Sequence, residues 1–192
     1  MKNSLAPENF YLVGNNLALD FVNSVIAELS LENLVNWAVA VKLFDEDTAK
    51  NLLQNWSDRQ LKKISDVRDL LRKLVVNFVN GAEIVQKDID ELNTILKQKN
   101  GFSVLKLTDE GFIRTFEIDL SEPKMLLVPI VETFVDLLCF GNLDYLRKCE
   151  REDCILYFYD TTKNHKRRWC NMAICGNRVK ASKFYQKKKA QS

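Results

Sequence analysis

Histidine and glycine are both scarce in this chain, and each shortage excludes a class of chemistry. His165 is the one histidine among 192 residues. Any Ser-His-Asp or Cys-His arrangement would therefore have to use it as the base. The six glycines are not spaced as a phosphate-binding loop or a dinucleotide fingerprint. These shortages favour a binding protein, and we expect no enzymatic activity.

Long apolar runs are also missing. No stretch approaches the roughly 18 uninterrupted apolar residues that a membrane span requires. The opening residues, MKNSLAPE, hold a lysine with no apolar segment after it, so a secretory signal is not expected. We therefore expect a soluble protein of the reducing cytoplasm, where paired cysteines bind metal more readily than they form disulfides.

Cysteine is concentrated in the last quarter of the sequence. Cys149 pairs with Cys154 and Cys170 with Cys175, each pair enclosing four residues, and fifteen residues separate the pairs. Two short pairs on separate turns supply the four thiolates of a tetrahedral site. The sequence thus predicts one structural Zn²⁺ bound by all four. Cys139, in an apolar helical segment, is expected to be a small core residue.

Aromatic residues lie between and beside the cysteine pairs. Phe158 and Trp169 are predicted to pack over the metal site, because a zinc unit of this size has little other core. Stacking on nucleic-acid bases is the alternative for aromatics among basic residues. We expect His165 to make a surface or hydrogen-bonding contact, since four cysteines already complete the tetrahedron.

Charge divides the chain into two unlike parts. Residues 147–192 hold thirteen Lys or Arg against four Asp or Glu, a net charge of +9, whereas residues 1–146 hold fifteen against twenty-two, a net charge of −7. The three lysines at 187–189 are explained by a solvated end of the chain. The cations near the cysteines instead predict a polyanionic partner. The candidate nucleic-acid contacts are Arg167, Arg168, Arg178, Lys180 and Lys183.

Periodicity predicts an α+β fold that is mostly helical. Apolar residues recur at helical spacing in segments that begin near Leu17, Leu31, Thr48, Ser57, Glu83 and Ile130. Ser30 and Asp45 are candidate helix caps, and 177–189 is a candidate basic helix. Residues 102–107 and 112–119 alternate apolar and polar types around a turn, which predicts a β-hairpin. A lone hairpin is marginal, so we expect it to pack on the helices.

Several of these residues together resemble a known family. Arg147-Lys-Cys149, Phe158-Tyr-Asp160 and above all the run from Arg167 to Arg178 are similar to the CGNR zinc finger. In that family the finger closes bacterial proteins described as stress-induced transcription regulators, after an N-terminal α+β region called the ABATE domain. That region is similar here at 19–23, 66–72 and 141–146.

The resemblance implies two domains and a function. Residues 1–144 would form an ABATE-like regulatory domain that senses a ligand or mediates assembly, and 145–192 a CGNR-like zinc finger with a basic tail. The implied protein is a transcription regulator that binds DNA through the finger. A homodimer would suit such a binder, because half-sites repeat at one helical turn.

Other interpretations stay open from the residues alone. The finger could be a purely structural zinc site in an RNA-binding or protein-interaction module. An enzyme could use a pair of carboxylates drawn from Asp20, Glu28, Glu32 and Asp66, if the fold brings two of them together. Asp20 and Asn23 could line a ligand pocket, although a structural hydrogen bond is the commoner use of such groups.

Overall fold

The computed structural model describes residues 10–24, 30–57, 59, 61–99, 101–118 and 123–190. Within them lie seven α-helices and two separate two-stranded antiparallel sheets. The helices are α1 Leu17–Asn23, α2 Leu31–Ala40, α3 Glu46–Asn55, α4 Leu61–Val79, α5 Gln86–Leu96, α6 Leu127–Phe140 and α7 Asn177–Ala190. The strands are β1 Gly101–Thr108, β2 Gly111–Ile118, β3 Leu146–Lys148 and β4 Tyr157–Tyr159. The predicted α+β class is confirmed.

Helix starts follow the predicted caps. Ser30 Oγ accepts a hydrogen bond from the amide of Asn33 at 3.1 Å and begins α2. Asp45 Oδ1 does the same for the amide of Thr48 at 2.8 Å and begins α3. Each cap satisfies one of the amides that an α-helix leaves unpaired at its first turn. Both predictions are confirmed.

The main core lies where α1, α4 and α6 meet. Phe21 of α1, Leu71 and Leu74 of α4, and Ile130 and Phe134 of α6 are all fully buried. The Phe21 ring also contacts the Trp37 ring of α2, with centroids 5.2 Å apart. Burial of such side chains contributes roughly 1.5–3 kcal/mol each, so these helices form the stable body of the protein.

Cys139 is not a core residue, and that prediction was wrong. The buried stripe of α6 contains Leu127, Ile130, Val131, Phe134 and Leu137. Cys139 lies two residues beyond Leu137, about 200° around the helix, and is exposed. The signal was present in the sequence, because Glu132 and Asp136 precede Cys139 by seven and three residues and lie on the same side of the helix.

The hairpin formed by β1 and β2 is the longer of the two sheets. Its register pairs Leu107 with Phe112 and Leu105 with Arg114. The strands match the predicted ones within one or two residues. None of the described hairpin side chains joins the main hydrophobic cluster, and the packing of the hairpin on the helices stays a prediction.

The second sheet is short but central. Leu146 of β3 and Tyr157 of β4 belong to the same hydrophobic cluster as the helices, although both lie in the cysteine-rich segment. The division of the chain at residues 144 and 145 stays a prediction, and side chains from both sides of it share one core. No helix of the described residues has the length and apolarity that crossing a membrane requires.

Candidate metal centre and basic face

The four paired cysteines converge on one buried point. Their sulfur atoms all lie within 4.8 Å of one another. Cys154 Sγ is 3.8 Å from the Sγ atoms of both Cys170 and Cys175, and the last two sulfurs are 3.4 Å apart. A zinc ion with bonds of about 2.3 Å to four tetrahedral sulfurs separates them by about 3.8 Å. The cluster therefore fits tetrahedral Zn²⁺.

Two tight turns hold the ligands. The first follows β3, where the amide of Cys149 donates to the carbonyl of Leu156 and the amide of Cys154 donates to that of Arg151, both at 2.9 Å. The second is a short π-helical turn, Met172–Gly176, that begins at Asn171 and contains Cys175. Asn171 Oδ1 accepts from the amides of Ala173 and Ile174.

Gly176 allows the second turn to close. A β-carbon at this position would lie 2.4 Å from the sulfur of Met172 and 3.2 Å from Cε3 of Trp169. The indole leaves little room for a side chain here, whereas the flexible Met172 side chain can move aside. A glycine at this position therefore lets the backbone approach the indole closely.

Burial makes the thiols dependent on a cation. Burial raises the pKa of Cys175 to about 11, and burial with hydrogen bonding to Cys175 also raises the pKa of Cys170. These two thiols retain their protons strongly and become thiolates only when a metal ion offsets their charge. The soft sulfur ligands and the closed tetrahedron select zinc in a structural role.

Aromatic and aliphatic side chains enclose the metal centre. Phe158 is fully buried in the same cluster as the four cysteines. Trp169 is half-buried and packs against that cluster together with Val13 and Ile174. The predicted packing of Phe158 and Trp169 over the metal site is confirmed.

The guanidinium of Arg167 points into the protein, and its contact with nucleic acid stays a prediction. Its guanidinium lies over the Phe158 ring, 4.1 Å from the centroid. It donates to the carbonyls of Val13 at 2.9 Å, of Trp169 at 3.0 Å and of Cys170. Backbone carbonyls engage both Nε and one terminal nitrogen, so Arg167 ties the finger to the segment before α1.

Asp160, a residue of the family motif, organises the loop that carries Arg167. It is fully buried, and Oδ2 accepts from the amide of Arg167 at 2.8 Å. Oδ1 accepts from the amide and the hydroxyl of Thr162. Although burial alone raises the pKa of this carboxyl, the hydrogen bonds lower it overall.

His165 makes the expected hydrogen-bonding contact. Its Nδ1 lies 2.9 Å from the carbonyl oxygen of Asp160. The ring stacks on Tyr145 with centroids 3.6 Å apart and planes 5° from parallel. His165 therefore braces the loop and is not a fifth metal ligand.

Asn23 joins α1 to the finger. Its Nδ2 donates to the carbonyl of Tyr157 at 2.8 Å, and the Tyr157 amide donates back to Oδ1 at 2.9 Å. Nearby, Asp20 Oδ1 accepts from the amide of Gly14 at 2.8 Å. Burial raises the pKa of Asp20 to about 6, against the lowering effects of Gly14, Val13 and Arg167. Asp20 and Asn23 therefore serve in structural hydrogen bonds rather than in the lining of a pocket.

The other candidate carboxylates do not gather at one place. Asp66 forms an exposed ion pair with Lys62 at 3.3 Å, and Glu32 is exposed at the first turn of α2. Glu28 lies outside the described residues. Among the described residues, the four cysteines are the one group of three or more metal-ligating side chains.

The remaining candidate cations lie on an outward surface. Arg178, Lys180 and Lys183 are exposed on α7. Arg168 is half-exposed, lies over the Trp169 ring at 4.9 Å, and donates from Nε to a carboxylate oxygen of Glu150 at 2.7 Å. We define the outer face of the finger as these four residues, and its inner face as Tyr157, Phe158 and Arg167.

A groove of about 420 Å³ separates α7 from the first ligand turn. Arg178 and Lys183 line one wall, and Glu150 and Asp153 line the other. Lys180 does not line it, since it lies about 200° around the helix from Arg178. The outer face thus presents cations on two sides of one helix.

The fold and the site together define a zinc-finger protein: a helical body fused to a small unit that a four-cysteine metal centre holds together. The family model of the CGNR zinc finger matches residues 145–188. The ABATE model, described as "Putative stress-induced transcription regulator", matches residues 15–141. The chain belongs to the ABATE family and carries a CGNR zinc finger. No curated protein matches it.

Proposed function

We propose that this chain is a bacterial, cytoplasmic transcription regulator, without enzymatic activity, that binds duplex DNA through the outer face of its finger. The observation that carries the proposal is the composition of α7. Its fourteen residues include six Lys or Arg and no Asp or Glu. Every residue from 181 to 189 is exposed.

The anchoring of α7 supports this role. The helix continues directly from the ligand turn that contains Cys175, so the metal centre fixes where it begins. Fourteen residues of α-helix extend about 21 Å, and the major groove, about 12 Å wide, admits one helix. Exposed cations lie on opposite sides of α7, and a phosphate backbone is the partner that matches this charge.

The N-terminal domain supplies regulation in this proposal. The inner face of the finger is hydrogen-bonded to α1 through Asn23 and Tyr157. A small effector, or an assembly step, that shifts α1 would therefore shift the metal centre and α7 with it. The reducing cytoplasm suits this design, because all four ligands act as free thiols that bind metal.

A salt titration of duplex binding tests the proposal. If the four cations of the outer face neutralise four phosphates, log affinity falls against log salt with a slope of about −3.6. Changing Arg178, Lys180 and Lys183 together to Gln reduces the magnitude of that slope by about 2.7. The same change lowers the affinity more than tenfold at moderate salt.

Lys63→Gln is the matched control. Lys63 is an exposed cation of α4 outside the finger, so duplex binding stays unchanged in this variant. Zinc content and thermal unfolding must match the unaltered chain in all variants. Duplex affinity that does not respond to salt, or that survives the triple change, would contradict the proposal.

A single-stranded RNA partner is the second candidate, and two exposed rings favour it. Phe184 and Tyr185 of α7 are 66% and 69% exposed, and their rings meet edge to face at 5.9 Å. Aromatic rings among lysines stack on unpaired bases. Titration of duplex DNA beside single-stranded RNA separates the candidates. Tighter RNA binding that Phe184→Ala weakens would favour RNA over duplex DNA.

A further inference from the structure

One face of the hairpin is apolar and open. Leu107 and Phe112 are opposite partners across the strands, so their side chains point to the same side, and Leu105 follows by strand alternation. Leu105 is 69% exposed, Leu107 75% and Phe112 74%. We define these three residues as the hairpin face.

Nothing among the described residues covers the hairpin face. No third strand pairs with β1 or β2 there, and none of the described hairpin side chains reaches the main core. A two-stranded ribbon is at best marginally stable in water unless another surface packs on it. Large adjacent apolar side chains on a projecting ribbon mark a site of association.

The charges around the hairpin face point to the occupant. Arg114 lies opposite Leu105, two residues beyond Phe112 along β2. The acidic turn, Asp109 and Glu110, begins two residues beyond Leu107 in the other direction. The basic and acidic groups therefore lie about 7 Å on either side of the Leu107–Phe112 level. Rotation by 180° about an axis through the Leu107–Phe112 level therefore brings each basic group opposite an acidic one.

We propose that the hairpin face binds the same face of a second copy of this chain. The two hairpins stack antiparallel about a two-fold axis through the Leu107–Phe112 level. Leu107 and Phe112 of the two copies pack together at the axis. Arg114 of each copy meets the acidic turn of the other. Such a contact uses one patch twice and closes after two copies.

The size of the patch predicts a weak dimer. Three side chains with these exposures offer on the order of 400 Å² per copy, comparable to the largest apolar patch of a typical monomer. Two copies together bury roughly 800 Å², which is below the range of stable interfaces. Dimers therefore form at micromolar to millimolar concentration and dissociate on dilution. This inference does not depend on which nucleic acid the finger binds.

Sedimentation velocity of the zinc-loaded full chain over a concentration series tests the proposal. The unaltered chain forms a closed dimer, and Leu107→Ser with Phe112→Ser weakens it at least tenfold. Ile113→Ser is the matched control. Ile113 neighbours Phe112 on the opposite face of the ribbon and is 43% exposed, so this variant dimerises normally.

Charge reversal provides the second test, with substitutions that stay on the exposed surface. Arg114→Glu alone, and Asp109→Lys with Glu110→Lys alone, each weaken the dimer several-fold. All three changes together restore it, because each acidic group again faces a basic one.

Three outcomes would overturn the proposal. If the chain is a monomer at every concentration, the hairpin face does not bind a second copy. A dimer that tolerates the Leu107 and Phe112 changes would place the interface elsewhere. Failure of the triple charge variant to recover would exclude the antiparallel arrangement. Zinc content and thermal unfolding of each variant establish that it is folded.

Discussion

The inner and outer faces of the finger use the same kind of residue in opposite ways. Arg167 and Arg168 are neighbours in the chain. The guanidinium of Arg167 donates to three backbone carbonyls and lies over a buried ring. That of Arg168 is half-exposed and pairs with one surface carboxylate. The first cation builds the finger, and the second is available to a partner.

This contrast shows that the finger is not an independent unit. Tyr157 of its inner face belongs to the hydrophobic core of the helical domain and is hydrogen-bonded to Asn23, and Arg167 donates to the carbonyl of Val13. Its outer face consists of exposed cations. Changes on the inner face should therefore alter stability, and changes on the outer face should alter only binding. The following variants test that separation.

The largest effect is expected for Cys175→Ser. A hydroxyl cannot replace the thiolate, so zinc is lost and the ligand turn unfolds. Because Leu146 and Tyr157 belong to the main core, the thermal midpoint of the whole chain should fall by on the order of 10 °C. Metal analysis beside calorimetry measures both changes.

Cys139→Ser is the control for that variant. Cys139 is exposed on α6 and away from the cluster, so zinc content and thermal midpoint should remain those of the unaltered chain. If Cys175→Ser removed zinc without lowering the midpoint, the finger and the helical domain would be energetically separate after all.

Asn23→Ala should give the next largest effect. The change leaves the amide and the carbonyl of Tyr157 buried without partners, which costs about 2–4 kcal/mol of unfolding free energy. Chemical denaturation measures it. Asn93→Ala, at an exposed position of α5, is the control and should be nearly neutral. A neutral result at Asn23 would mean that the finger docks through its apolar contacts alone.

The sequence was sufficient for features that depend on local spacing. The caps at Ser30 and Asp45, the central helix and the zinc ligands all follow from residues a few positions apart. The period of an amphipathic segment and the geometry of a metal site are local properties.

Features that depend on distant partners escaped prediction. The carbonyl that Arg167 contacts at Val13 is 154 residues away in the chain, and Asn23 is 134 residues from Tyr157. A basic run looks the same whether one of its arginines points inward or outward. The exposure of Leu105, Leu107 and Phe112 likewise depends on packing that no local pattern encodes, whereas Glu132 and Asp136 mark the exposed face on which Cys139 lies.

Paired substitutions of the two neighbouring arginines test the contrast most directly. Arg167→Gln removes hydrogen bonds to buried carbonyls and should lower the unfolding free energy by about 2 kcal/mol. Arg168→Gln should leave stability unchanged and reduce the salt slope of DNA binding by about 0.9. Both variants are measured by chemical denaturation and by salt titration of duplex binding. Equal effects of both variants in either measurement would contradict the assignment of faces.

The smallest effect is expected for Glu150→Gln, and it is a gain. The Glu150 carboxylate accepts from Arg168 Nε at 2.7 Å, so a DNA phosphate must compete with it for the same cation. Exposed ion pairs are weak, and their removal should raise duplex affinity by about threefold. Asp153→Asn is the control, since this carboxylate of the same turn pairs with Arg151 and not with Arg168.

Combining Glu150→Gln with Arg168→Gln separates a local effect from a long-range one. If Glu150 acts through its ion pair, the gain disappears once Arg168 is gone, because no cation remains to be released. If the gain persists in the double variant, Glu150 acts through the general field of the surface instead. The first result would confirm Arg168 as a working cation of the outer face, and the second would remove it from that face.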